Sequence, residues 1–98
     1  MSGSFAIDLH AADTAVVRAA GELDVATAPS FAAALRRAVD SARPTVVIDL
    51  TNVSFADVSG LRPLFRTTAD LRSRGRRCDT LGARPNVSRV IDLCAGDG

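Results

Sequence analysis

Residues 45 to 50 read TVVIDL, a nearly unbroken β-branched run bounded by Pro44 on one side and the polar TN pair on the other. A strand with one wet face alternates apolar and polar residues, so a short continuous run predicts a central strand covered on both faces. On either side of it the apolar period becomes helical. Phe31, Leu35 and Val39 recur at i, i+4 and i+8, with Arg36, Arg37 and Asp40 off the stripe, which predicts a helix over 28–42. Thr27 is read as its N-cap, and Pro29 falls in the first turn, where its missing N–H costs nothing. Pro44 disfavours helical backbone at Arg43 and stops the helix. Beyond the central strand, Leu61, Leu64, Phe65, Thr68 and Leu71 share one face, while Arg62, Arg66, Asp70 and Ser73 share the other. Ser59 is read as the cap of this second helix, with Pro63 in its first turn and Gly75 near its end.

Before the first helix, FAIDLH alternates Phe5, Ile7 and Leu9 on one side. AADT then marks a turn into AVVRAAGELD, which together predict an antiparallel hairpin with His10 exposed at the turn. After Gly75, RRCDTLGA is a weak strand interrupted by Asp79, and PNVSRVIDLCA places Val87, Val90, Ile91 and Cys94 at helical spacing. The order strand, strand, helix, strand, helix, strand, helix predicts an α/β fold: a mixed four-stranded sheet packed by helices, with right-handed crossovers. Ninety-eight residues suffice for one domain and one core, so residues 1–98 are read as a single domain.

Several function classes find no support. No window approaches the ~18 uninterrupted apolar residues of a membrane span. The N-terminal MSGSFAIDLH has no basic n-region before an apolar run, so a cytoplasmic protein is expected. Cys78 and Cys94 lie far apart without a CxxC pair, and His10 is the one histidine, which argues for small buried thiols rather than a metal site or a disulfide. The basic stretch RSRGRR ends a helix, where cations complement the dipole, and it lacks interleaved aromatics in a chain of net charge +1. It is read as a solvated helix end, and no direct nucleic-acid contact is expected. The carboxylates of GELD, residues 21 to 24, fit a loop better than a metal site. Ser59 lacks the G-x-S-x-G frame of a hydrolase nucleophile, and no base adjoins it in sequence, so no enzyme is expected.

Three segments carry more together than apart: GELDVATAPSFAAAL, then VVIDLTNVSFADVSGLRPL, then NVSRVIDL. In combination they resemble the STAS domain shared by sulphate transporters and anti-sigma factor antagonists, over roughly residues 5–95. In the bacterial antagonists the segment before the second helix reads Asp-Ser-Ser-Gly or Asp-Ser-Thr-Gly. Here Asp57, Ser59 and Gly60 match, Val58 replaces the first hydroxyl residue, and Ser59 is left as the phosphate acceptor. The resemblance implies a partner switch. The unphosphorylated chain binds an anti-sigma factor with serine kinase activity and frees a sigma factor; phosphorylation of Ser59 breaks the contact, and a serine phosphatase resets it. The kinase brings ATP and Mg²⁺, and no cofactor belongs to this chain. The implied contact surface takes Gly21, Glu22 and Asp24 from the GELD turn, Asp57, Val58 and Gly60 from the helix entrance, and the exposed Arg62 and Arg66. Family members commonly continue beyond AGDG into a further helix, so the domain is expected to stop short of one. The alternative is a STAS subunit of a lipid-transport or stress-sensing complex that uses the same surface without phosphorylation.

Physical chemistry supports a phosphate at Ser59 independently of the resemblance. Free N–H groups and the positive dipole end at a helix N-terminus favour an anion by ~0.3 to 2 kcal/mol, so the fold tolerates the modification. An added charge of about −1.5 to −2 repels any partner that must bury the same spot. Gly60, lacking a Cβ, is read as letting a partner backbone approach.

Overall fold

The elements follow the expected order in a computed structural model that describes residues 3–95: β1 (Gly3–Ala11), β2 (Thr14–Leu23), α1 (Ala28–Asp40), β3 (Thr45–Ala56), α2 (Val58–Ser73), β4 (Arg77–Leu81) and α3 (Pro85–Ala95). The expected shortfall at the C-terminus concerns residues 96–98, which lie outside the described residues. The sheet order is β1-β2-β3-β4, with β1 antiparallel to β2 and β2, β3 and β4 parallel.

β3 lies inside the sheet, but it is not covered on both faces. Val46, Ile48 and Leu50 are wholly buried, whereas Val47 and Asp49 between them are only half-buried. Val47 stands opposite Val16 of β2, and such lateral β-branched pairs stabilise a sheet face without a helix over it. The continuous apolar run therefore reflects neighbours within the sheet as well as the core beneath. That core joins β2 and β3 to Phe31, Leu35 and Ala38 of α1, Leu61, Leu64 and Leu71 of α2, and Val87 of α3. Phe5 stacks on Phe31 at 5.4 Å between ring centroids, which draws the edge strand onto α1.

Helix α1 ends at Asp40, two residues earlier than its period suggests, and Ala42 takes a left-handed φ of 59° before Pro44. The last carbonyls of a helix have no intrahelical donor. Arg76 supplies donors from across the fold: its guanidinium donates to Val39 O at 2.9 Å and to Arg43 O at 2.7 Å. One arginine of the RSRGRR stretch is thus a structural tie between two loops, not part of a solvated helix end. Asp79 is compatible with strand β4 because it faces away from the core and accepts from Arg77 Nε at 2.7 Å, while Cys78 beside it is buried. Burial pushes the Cys78 thiol above its ordinary range, in keeping with a packing role.

Two register shifts between β2 and β3 place an extra residue in β3 each time, first between Asp49 and Asn52 and then between Val53 and Phe55. Bulges of this kind turn the strand and re-aim its side chains. The first is held by Asp49, whose Oδ1 accepts from Thr51 Oγ1 at 2.6 Å and from Thr51 N at 3.0 Å. The Thr51 hydroxyl, then the Thr51 amide, hold the Asp49 carboxyl below its ordinary 3.8. A folded-state pKa below the unfolded one contributes stability above the unfolded value and loses it as pH falls through the folded value. Urea melts at about pH 6 and about pH 3 should therefore show a larger acid loss for wild type than for Asp49→Asn. Equal losses would mean that the pair does not stabilise the bulge.

Candidate functional site

The second bulge brings the end of β3 beside the end of β2. Ala56 pairs with Leu23, and Asp57 N donates to Leu23 O at 3.0 Å, so the loop after β2 and the start of α2 form one edge. The helix begins there because Asp57 is extended, with φ −119° and ψ 178°, and its Oδ1 accepts from Gly60 N at 2.9 Å. This is N-cap geometry, and aspartate is among the best residues for it. Ser59 is therefore not the cap. It is the second residue of the helix, exposed, and its hydroxyl makes no hydrogen bond to the described residues. Asp57 at the cap leaves the N–H groups of Val58 and Ser59 without intrahelical acceptors.

Pro63 shifts accordingly. With α2 starting at Val58, it stands inside the helix rather than in the first turn, and its missing N–H deprives the Ser59 carbonyl of the usual i+4 donor. Ser59 thus combines, on one exposed residue, a hydroxyl with no partner among the described residues and an N–H and a carbonyl that lack the usual i−4 and i+4 helical partners.

Gly60 turns inward. A Cβ built on it would lie 2.0 Å from both C and O of Leu23 and 2.4 Å from Asp24 N. The backbone that needs the missing side chain is the chain's own, which replaces the expectation of a partner backbone there. Asp24 is likewise engaged within the chain: only 8% exposed, its Oδ1 accepts from the N–H groups of Ala26 at 2.9 Å and Thr27 at 3.1 Å. Thr27 stands at the N-cap position of α1, as expected, and its carbonyl accepts from Phe31 N at 3.0 Å, but its side chain makes no capping bond. Its backbone is already helical, and its hydroxyl donates to Glu22 O at 2.7 Å and accepts from Asp24 N at 3.0 Å. The loop is wound on itself by these bonds and so presents a fixed shape.

Gly21 has φ 92°, and its carbonyl accepts from Ser54 Oγ at 3.2 Å. Of the residues expected at the contact surface, Glu22 is half-buried, Val58, Arg62 and Arg66 are exposed, and neither arginine takes part in an ion pair among the described residues. Two residues that sequence reasoning missed join them. Val25 is 76% exposed in the loop after Asp24, and Phe55, opposite Glu22, is 44% exposed. With Val58 at 49% they give the edge around Ser59 three exposed large apolar side chains. A loop valine flanked by Asp24 and Ala26 was the available signal for the first. Alternation counted from Val46, Ile48 and Leu50 places Phe55 on the outward face, and this was the available signal for the second.

Chemically, this edge suits contact. Among the described residues no cluster of three or more His, Cys, Asp or Glu side chains is placed to hold a metal ion. The one carboxylate in the Ser59 turn, Asp57, already holds the Gly60 amide. Asp57→Ala should remove the cap and destabilise the fold by ~0.5 to 2 kcal/mol, and Asp57→Asn should restore most of it. Urea unfolding of the two variants checks this; an Asn variant as weak as the Ala variant would place the role in the charge instead.

A family model of the STAS domain matches residues 6–97. An anti-sigma factor antagonist from Mycobacterium paratuberculosis superposes with a TM-score of 0.87 at 30% identity, over 98% of this chain and 80% of that one. The anti-sigma factor antagonist SpoIIAA in its unphosphorylated form gives 0.79 at 25% identity, over 94% of this chain and 81% of that one. The Bacillus cell fate determinant SpoIIAA in its phosphorylated form gives 0.75 at 23% identity, over 95% and 84%, a likeness of fold alone.

Proposed function

Because the chain belongs to the STAS domain family, we propose that it is an anti-sigma factor antagonist switched by phosphorylation of Ser59. Unphosphorylated, it binds an anti-sigma factor that is also a serine kinase and so frees a sigma factor. Phosphorylated, it lets go. The kinase supplies ATP and Mg²⁺, a serine phosphatase reverses the mark, and the exchange takes place in the cytoplasm with no catalytic role for this chain. Among the described residues no helix is long and apolar enough to cross a membrane.

One observation carries this reading: Ser59 is exposed at the helix entrance with its hydroxyl unengaged, because Asp57 does the capping. The other hydroxyls nearby are committed, Thr51 to Asp49 and Ser54 to Gly21 O. A phosphate on Ser59 would sit against free N–H groups and disturb no bond of the fold. What changes is the surface. The apolar contacts of Val25, Phe55 and Val58 would close over a dianion, and a partner that buries them must strip its water.

Incubation with the cognate anti-sigma kinase and Mg-ATP, followed by peptide mass spectrometry, should place the phosphate on Ser59. Ser59→Ala should abolish labelling with little change in the urea midpoint, since no cap is lost. Phosphate on Thr51 or Ser54 would overturn the assignment.

A further inference from the structure

The net charge of +1 conceals a segregation of charge. Residues 28–44 and 58–76, which form α1, α2 and their C-terminal turns, hold eight arginines against two aspartates; the rest of the chain holds four arginines against nine acids. Part of this basic layer is spent internally, with Arg76 on the end of α1 and Arg74 on Asp70 at 3.1 Å. Arg36 of α1 and Arg66 of α2 are not paired among the described residues. Both line a groove of about 380 Å³ between the two helices, together with the apolar surfaces of Ala32, Val39 and Pro63.

We propose that this groove docks an acidic peptide segment of the partner, with Arg36 and Arg66 as its anchors. The inference extends the antagonist reading and rests on it for the partner's identity. Complementary charge selects the occupant: the lining holds Arg36, Arg66 and Arg74 against Asp40 and Asp70, and with Arg74 paired to Asp70 the remaining excess is positive, which beside the apolar surfaces fits a few side chains of an acidic strand or helix. A nucleic acid is disfavoured because no aromatic residue lines the groove for bases to stack on. A lipid surface is disfavoured because none of the exposed large apolar residues lines it. Because Arg66 lies two turns along α2 from Ser59, an occupant here would extend the contact away from the switch and strengthen encounter without depending on the hydroxyl.

The test uses a ten-residue oligoglutamate peptide titrated into the ¹⁵N-labelled chain. Amide shifts should cluster in residues 32–40 and 63–74. The apparent affinity should fall at least about tenfold in Arg36→Glu/Arg66→Glu and on raising salt from about 25 to about 200 mM. Arg36→Gln/Arg66→Gln should show an intermediate loss, dispersed spectra should verify folding, and Ser59→Ala should bind as wild type. Absent shifts, shifts confined to other elements, or tighter binding of a ten-nucleotide oligothymidylate or of phosphatidylglycerol vesicles would overturn the proposal. The probe needs neither kinase nor sigma factor, so its failure would leave the Ser59 switch standing, and failure of Ser59 labelling would leave the groove standing.

Discussion

Gly60→Ala is expected to destabilise the fold by at least ~3 kcal/mol, a large share of the ~5 to 15 kcal/mol available to a domain of this kind. In an exposed helix the same change would stabilise by about 1 kcal/mol, because alanine is the better helix former. Here the added methyl would lie 2.0 Å from the carbonyl carbon and oxygen of Leu23 and 2.4 Å from Asp24 N, and backbone cannot step aside as a flexible side chain can. Relief requires the start of α2 to move off β2. That movement would strain the bond from Asp57 N to Leu23 O and withdraw Leu61, which is wholly buried, from the core. Urea denaturation with circular dichroism would measure the loss. A variant as stable as wild type would show that the helix entrance is not locked to the strand end, and the fixed presentation of Ser59 would lose its basis.

Much of this architecture could be read from periodicity. The β-branched run 45–50 and the flanking helical stripes led to the right element order, and the hairpin and α3 followed from the same rule. Periodicity could not decide which of two good capping residues starts α2. Asp57 and Ser59 stand two positions apart, and the choice depends on where β3 stops, which is set by its pairing with Leu23. The same limit explains Pro63, whose position in the helix follows from the cap. Gly60 announces only that a Cβ is unwelcome; which backbone excludes it is a tertiary fact. Two one-residue bulges precede Phe55 and cancel in parity, so it keeps the outward face that alternation from Val46 gives; Val53, between them, is the residue whose burial alternation misses. Arg76 looked like its neighbours in RSRGRR because a guanidinium that ties two loops and one that faces water have the same sequence signature. Sequence singled out Ser59 through the resemblance and its place at the helix entrance, and it erred only on the cap: Asp57 caps α2, which leaves the Ser59 hydroxyl without a partner among the described residues.

Ser59→Glu is expected to weaken binding to the anti-sigma factor by ~10²-fold or more, because closing an interface over one uncompensated charge costs several kcal/mol. The substitution should leave the fold intact. The Ser59 side chain contributes no hydrogen bond within the described residues, it is exposed, and a carboxylate in the first turn of α2 is favoured by the dipole. Its neighbours make the charge costly for binding and not for folding: Val25, Phe55 and Val58 supply the exposed apolar area that a partner would cover. Ser59→Gln separates charge from bulk, having nearly the same size and no charge, and should keep most of the affinity.

The most direct measurement is a calorimetric titration of wild type, Ser59→Gln and Ser59→Glu against the cognate anti-sigma factor, each variant checked for an unchanged urea midpoint. A charge switch at the α2 entrance predicts wild-type-like binding for glutamine and a loss of ~10²-fold for glutamate. Folded Ser59→Glu that binds as tightly as wild type would contradict it.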